Sequence, residues 1–160
     1  MTTIVDQIIQ GVRELRQQSQ DRSGSVEKGA IKSLLHDAQL QAISDDLSIT
    51  AFHSLSALET GPQTGIELSS KLNVTRGGIT RAVKKLAAHQ LVSSFQKAGN
   101  KKRVYFQLTP TGQRIAVAHD QMHQQLRNQA RQFLQSHYDQ QELGIICQFL
   151  KDLGEHSSQF

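Results

Sequence analysis

The stretch NVTRGGITRAVKKLAAHQLV, residues 73–92, decides how this chain folds. Ile79, Val83 and Leu86 recur at i, i+4 and i+7, the spacing of one apolar helix face, and Thr75 stands where an N-cap hydroxyl is wanted. Yet Gly77 and Gly78 occupy the first turn, although glycine inside a helix costs about 0.8 to 1 kcal/mol relative to alanine. The cost is muted at a helix start, where backbone donors lack intrahelical partners in any case. Small residues in that turn give clearance for something that must approach closely. At 100° per residue, Arg76, Gly77, Thr80, Arg81 and Lys84 fall opposite the apolar stripe.

Working outward, Thr64 and Glu67 form a T-x-x-E capping box that opens a short helix over about 65–72. Short helix, the three-residue break NVT, longer helix: this is the helix-turn-helix pattern. Downstream, LVSSFQK and KKRVYFQL flank AGN, predicting a two-stranded hairpin with its tip near Gly99-Asn100, a wing carrying Lys97, Lys101, Lys102 and Arg103. Thr109-Pro110 supplies a cap and a first-position proline for a long helix over 110–137, and Asp139 with Glu142 caps a last helix over 140–154. Upstream, Ile4, Ile8, Val12 and Leu15 predict an amphipathic helix over 3–18, and the polar segment 19–29 reads as a loop or frayed helix end. An apolar pattern resumes through Ile31, Leu34, Leu35, Leu40 and Ile43 until Asp45-Asp46 breaks it. A further helix over 48–60 ends at Gly61-Pro62. The expected fold is mostly α with a small β-hairpin, a winged helix-turn-helix lobe over 46–109 between terminal helices at 1–45 and 110–160.

The chain has 160 residues, enough for one domain with a real core. It contains no run of eighteen apolar residues and no basic, then apolar, leader, so neither a membrane span nor a signal peptide is expected, and a cytoplasmic location is. The single Cys147, in LGIICQFL, is expected to be a buried, inert thiol. No H-E-x-x-H, Gly-rich phosphate loop or G-x-S-x-G elbow is present, and the motifs therefore do not read as an enzyme.

The charge distribution says more than the net +4. Between Glu67 and Asp120 there is no acidic residue and there are ten basic ones, leaving the other eight against all fourteen acids. A contiguous third of the chain is built to meet a polyanion. On a helix lying in the major groove, Arg76 or Arg81 can bond bidentately to guanine, while Thr75, Thr80, Lys84 and Lys85 suit phosphates and Gly77 lets the backbone come close. The basic wing suits the neighbouring minor groove or backbone. A winged helix used only for protein contacts is the alternative, and it would expose an apolar or mixed face on the same helix.

These residues, with LSSKLNVTRGGITRAVKKLAAHQLV, the basic hairpin and FQLTPTGQRIA, resemble the MarR family of bacterial transcriptional regulators over about 47–126; LTPTG is similar to the family's LTxxG. The resemblance implies a homodimer held by the N- and C-terminal helices, which binds a pseudo-palindromic double-stranded operator, represses promoters and responds to an effector. Two departures stand out. The family's wing Asp-x-Arg is replaced by Asn100-Lys101-Lys102 followed by Arg103, and the glycine that commonly ends the recognition helix is replaced by Gln90.

His119 and His123, four residues apart on the long helix, can hold one metal ion between them. The zinc-responsive branch of the family resembles the chain further, which implies His53 as another ligand and His36 or Asp37 as a fourth, with zinc as effector; Phe52 and Gln41 stand where that branch has a secondary site. The other effectors considered are a small aromatic or anionic ligand between the dimer helices and the DNA-binding lobe and, further off, oxidation of Cys147.

Overall fold

The computed structural model describes residues 3–156, with the side chains of 16–25, 100 and 101 outside that description. Seven helices and three strands follow in the order α1 (Ile4–Leu34), α2 (Ala38–Asp46), α3 (Ile49–Leu58), β1 (Gln63–Thr64), α4 (Gly65–Leu72), α5 (Arg76–Ala88), β2 (Val92–Lys97), β3 (Asn100–Leu108), α6 (Pro110–His137) and α7 (Gln140–Glu155). Contacts gather into two compact units, residues 24–124 and residues 1–23 with 125–160.

The larger unit holds the helix-turn-helix and the wing. Its core is built from Ile31, Leu47, Phe52, Leu55, Leu68, Ile79, Leu86, Leu91, Ile115 and Met122, all essentially without solvent contact. Burying each such side chain stabilises the fold by about 1.5 to 3 kcal/mol. The stripe Ile79, Val83, Leu86 is thus the buried face of α5, and the opposite face is exposed.

Local chemistry sets the ends of the elements. The Thr64–Glu67 box closes reciprocally, with Glu67 Oε2 accepting from the Thr64 backbone N–H at 2.6 Å and Thr64 Oγ1 accepting from the Glu67 N–H at 3.3 Å. Thr75 Oγ1 accepts from the Gly78 N–H at 3.2 Å. Helix α4 ends on Asn73 with φ 51°, a left-handed turn in which the Val74 N–H reaches back to the Ser69 carbonyl. Helix α5 ends the same way on Gln90, φ 57°, with the Gln90 N–H donating to the Ala87 carbonyl and the Leu91 N–H to the Leu86 carbonyl. Glutamine therefore sits in the backbone conformation that glycine fills most cheaply.

The sheet is antiparallel in the order β1-β3-β2, pairing Val92 with Leu108, Phe95 with Tyr105 and Gln63 with Phe106. The third strand, β1, extends the predicted hairpin. At its base, Gly112 is packed so closely under Leu91 that a Cβ would stand 1.9 Å from the Leu91 carbonyl oxygen. The glycine of LTPTG is there for that contact. Gly78 is likewise required from inside, since a Cβ would meet Val74 Cγ1 at 2.8 Å, whereas a Cβ on Gly77 would find open space. Clearance for an external partner is thus an argument for Gly77 alone.

The smaller unit consists of the start of α1, the end of α6 and α7, the last opened by a closed Asp139–Glu142 capping box. The structure departs from the sequence expectations at three places in the chain. Residues 19–29 do not form a loop: α1 runs through them unbroken, because this polar segment lacks proline and Gly24 and Gly29 alone do not stop a helix. The apolar pattern of 30–43 is instead interrupted at Asp37, whose carboxylate caps α2. Cys147 is exposed in the single chain. No helix among the described residues is long and apolar enough to cross a membrane.

Candidate nucleic-acid interface and metal centre

Helix α5 presents Arg76, Gly77, Thr80, Arg81, Lys84 and Lys85 to solvent, with Thr75 exposed at its cap. Arg76 and Thr80 line one side of a groove of about 560 Å³, and Lys102 and Arg103 of β3 line the other, over Ile66 and Phe106. Helix start and wing thus enclose one cationic channel. Glu67 is the acid in it, and its carboxylate is held below the usual range by the Thr64 backbone N–H and hydroxyl, helped by the charges of Arg103 and Lys97. Lys97 is folded over the Tyr105 ring, 4.3 Å from its centroid, a cation–π contact at the edge of the wing. The side chain of Lys101 lies outside the described residues.

The charged residues of α5 are not all equally available. Thr80 Oγ1 donates to the Arg76 carbonyl at 2.9 Å. Lys85 Nζ is 2.7 Å from Asp46 Oδ2, and the same oxygen is 2.7 Å from His89 Nε2. The hydrogen bonds from Lys85 and then His89 hold the Asp46 carboxyl below its ordinary range. A second cleft of about 380 Å³ runs beside this cluster, lined by Ser48, Thr50, Arg81 and Lys85.

The histidines meet on the other side of α3. His53 is on α3, and His119 and His123 are one turn apart on α6. Their nitrogens converge, each residue offering a ligand atom within 4.8 Å of the others, and Nε2 of His119 is 3.1 Å from Nε2 of His123. His119 is buried, and burial followed by the neighbouring His123 pushes its imidazole down to about 4. It is therefore neutral at pH 7, the form in which a ring nitrogen can ligate. Three converging imidazoles are a donor set suited to zinc. The structure does not bring His36 and Asp37 into this group. His36 lines a separate cavity of about 320 Å³ with Leu35, Arg114, Val117 and Ala118, while Asp37 caps α2 and pairs with Arg114 at 3.4 Å.

Sequence reasoning missed what stands behind the histidines. Ser56 Oγ lies 2.7 Å from His119 Nδ1 and 2.7 Å from Asp120 Oδ1, and Asp120 itself faces Glu59. Burial and then Asp120 raise the Glu59 carboxyl above its ordinary range, while Asp120, against the opposing effect of burial, is held below its own by hydrogen bonds from Ser56 and Glu59. The one local signal was spacing, since Ser56 and Glu59 follow His53 at i+3 and i+6 on one helix face.

Comparison with known proteins places the likeness in the helix-turn-helix and wing. The model of the MarR family matches residues 47–104. The chain is 30% identical over 88 residues to the HTH-type transcriptional regulator YvnA of Bacillus subtilis, covering 54% of this chain and 56% of that one. It is 30% identical over 107 residues to the regulator PchR of the same organism, covering 66% and 63%. The chain thus spans less than two thirds of the length of these relatives, both described as HTH-type transcriptional regulators. Among solved structures, the zinc-responsive MarR family member ZitR of Lactococcus lactis superposes with a TM-score of 0.63 at 27% identity, over 68% of this chain and 75% of that one. A ZitR mutant in complex with DNA superposes with a TM-score of 0.72 over 97% and 98% at 20% identity, a likeness of fold. Over residues 47–104, the helix-turn-helix and most of the wing, this chain is similar to the MarR family.

Proposed function

We propose that the protein is a sequence-specific double-stranded DNA-binding transcriptional regulator, a repressor acting as a homodimer, whose DNA affinity is set by zinc. The observation that carries the reading is the channel in which Arg76 and Thr80 of α5 face Lys102 and Arg103 of the wing. A phosphate backbone is the polyanion that fits it, with α5 in the major groove, Arg76 and Arg81 at base edges and Thr75, Thr80, Lys84 and Lys85 at phosphates. Lys97, Lys101, Lys102 and Arg103 would follow the adjoining backbone or minor groove. A protein-contact module would instead expose an apolar face on α5, whose outward residues are cationic or small.

Apolar residues left exposed in the single chain support the dimer: Ile4, Val5 and Ile8 on α1 and Ile145 and Leu150 on α7. A two-fold pair would read a pseudo-palindrome.

His53, His119 and His123 would hold the cation. Held by these imidazoles, a cation would link α3, which carries His53, to α6, which carries His119 and His123. Because α3 packs on α5, fixing α3 against α6 fixes the pose of the reading helix, and an effector that favours one pose changes DNA affinity by that difference. The ZitR relative is described as zinc-responsive, which favours the same reading. The 320 Å³ cavity at His36, Arg114 and Val117 favours a second effector class, a small organic anion.

Gel-shift titration on the DNA upstream of the protein's own coding region, with zinc and then with chelator, tests partner and effector together. Binding that weakens steeply with salt and changes with zinc is expected, and His119→Ala should abolish the zinc effect. Salt-independent binding, or a zinc response that survives His119→Ala, overturns the corresponding half.

A further inference from the structure

Three side chains on two helices stand in line behind the buried histidine. Ser56 Oγ is within 2.7 Å of both His119 Nδ1 and Asp120 Oδ1. A serine hydroxyl has one proton and two acceptor lone pairs. The arrangement satisfies every group in one way: His119 Nδ1–H donates to Ser56 Oγ, and the Ser56 hydroxyl donates to the Asp120 carboxylate, which accepts only. Asp120 is in turn backed by Glu59, the C-cap of α3, and Glu59 Oε1 accepts from Gln113 Nε2 at 2.6 Å. Asp120 lies only 3.4 Å from His119 Nδ1 directly, too far to fix the ring without the serine between them.

With its proton at Nδ1, His119 must present a bare lone pair at Nε2. That nitrogen is the one that faces His123 Nε2 at 3.1 Å, where in the metal-free chain it accepts from the His123 N–H. The same lone pair is what a cation needs. Phe52 stacks parallel to the imidazole, with centroids 6.0 Å apart.

We propose that Ser56 is the positioning residue of the histidine centre: its hydroxyl, anchored by Asp120 and through it by Glu59, fixes the tautomer and orientation of His119 so that Nε2 faces the cation. This deepens the zinc reading and rests on it. Hydrogen-bond partners behind a ligating histidine commonly carry a tenfold to hundredfold effect on metal affinity.

The test uses the full-length protein, with zinc affinity measured by competition against a chromophoric chelator and the histidine tautomers read by long-range proton–nitrogen NMR on the metal-free form. Wild type should show His119 protonated at Nδ1 and His123 at Nε2. Ser56→Ala should lose that tautomer preference and bind zinc about tenfold or more weakly, whereas Ser56→Thr, which keeps the hydroxyl, should stay within about threefold of wild type by the same reasoning. Cobalt(II) bound in place of zinc should show ligand-field bands altered in the alanine variant and retained in the threonine variant. An Nε2–H tautomer at His119 in the wild type overturns the proposal without any variant. So does wild-type affinity in Ser56→Ala, or equal weakening in both variants, which would make the effect one of packing. If the wild type and His119→Ala bind zinc equally, it is the zinc reading itself that fails, and the tautomer measurement still judges the role of Ser56.

Discussion

The carboxylate of Asp46 closes to 2.7 Å on the ammonium of Lys85, in the exposed cationic face of α5. One acidic side chain from the end of α2 thus occupies a cation that, in the proposed DNA complex, a phosphate would contact. Asp46→Asn should release Lys85, tighten binding to any duplex several-fold, and steepen the dependence of log affinity on log salt by about one. Fluorescence anisotropy across a salt series reads both. The acid dependence has a definite sign. Hydrogen bonds from Lys85 and His89 lower the Asp46 pKa from 3.8, so the stabilisation is present above that value and is lost as pH falls through the lowered one. The pair is exposed, and the change in stability is correspondingly small.

Base readout separates from phosphate contact. Arg76→Ala or Arg81→Ala should cost about 1 to 3 kcal/mol of discrimination at one base position, while Lys84→Ala should weaken all sequences alike. Competition between operator variants distinguishes them, and an operator preference unchanged in both arginine variants would remove the assignment.

His119 gives the metal-free protein a second acid sensitivity. It is faced by His53 and His123, by Asp120, and by the hydroxyl of Ser56, and burial together with His123 lowers its pKa from 6.5 to about 4. Between those values the unfolded chain takes up a proton that the folded one refuses. Stability therefore falls as pH drops from 6.5 toward 4, by up to about 3 kcal/mol for the whole interval. Urea unfolding of the chelator-treated protein at a series of pH values checks this, and His119→Gln should flatten the profile across that window.

Two backbone positions predict opposite outcomes. Gln90 holds φ 57° at the end of α5, so Gln90→Gly should stabilise the chain by about 1 kcal/mol. Gly112→Ala would drive a methyl into the Leu91 carbonyl and should cost about 2 kcal/mol or more. Thermal melts of the two variants should shift in opposite directions.

The parts of this fold that were legible in the sequence are those fixed by neighbours along the chain. The boxes at Thr64–Glu67 and Asp139–Glu142, the caps at Thr75 and Thr109, and the stripe Ile79, Val83, Leu86 all depend on residues within a few positions of one another. The continuation of α1 through 19–29 was missed because a polar segment without proline carries no local signal that distinguishes solvated helix from loop. Strand β1, two residues long, has no periodicity to detect. The burial forecast for Cys147 took an apolar run as a core, where one chain leaves it exposed. Among the site residues, spacing announced His119 with His123, while His53 came from the family resemblance and is joined to them only by the packing of α3 on α6. The contacts of Asp46 with Lys85 and of Ser56 with His119 link residues 39 and 63 positions apart, and nothing local foretells them.

Where Leu91 and Gly112 touch, no side chain stands between the foot of the wing and the first turn of α6 to act as a bearing. Thr109 rivets the joint from the other direction, its N–H reaching the Leu91 carbonyl and its hydroxyl the Gln90 carbonyl. His119 lies seven residues further along the same helix, roughly 10 Å away. A small tilt of α6 at the histidines would therefore be delivered to the β-ribbon without slack, as a rod moves a blade welded to its end.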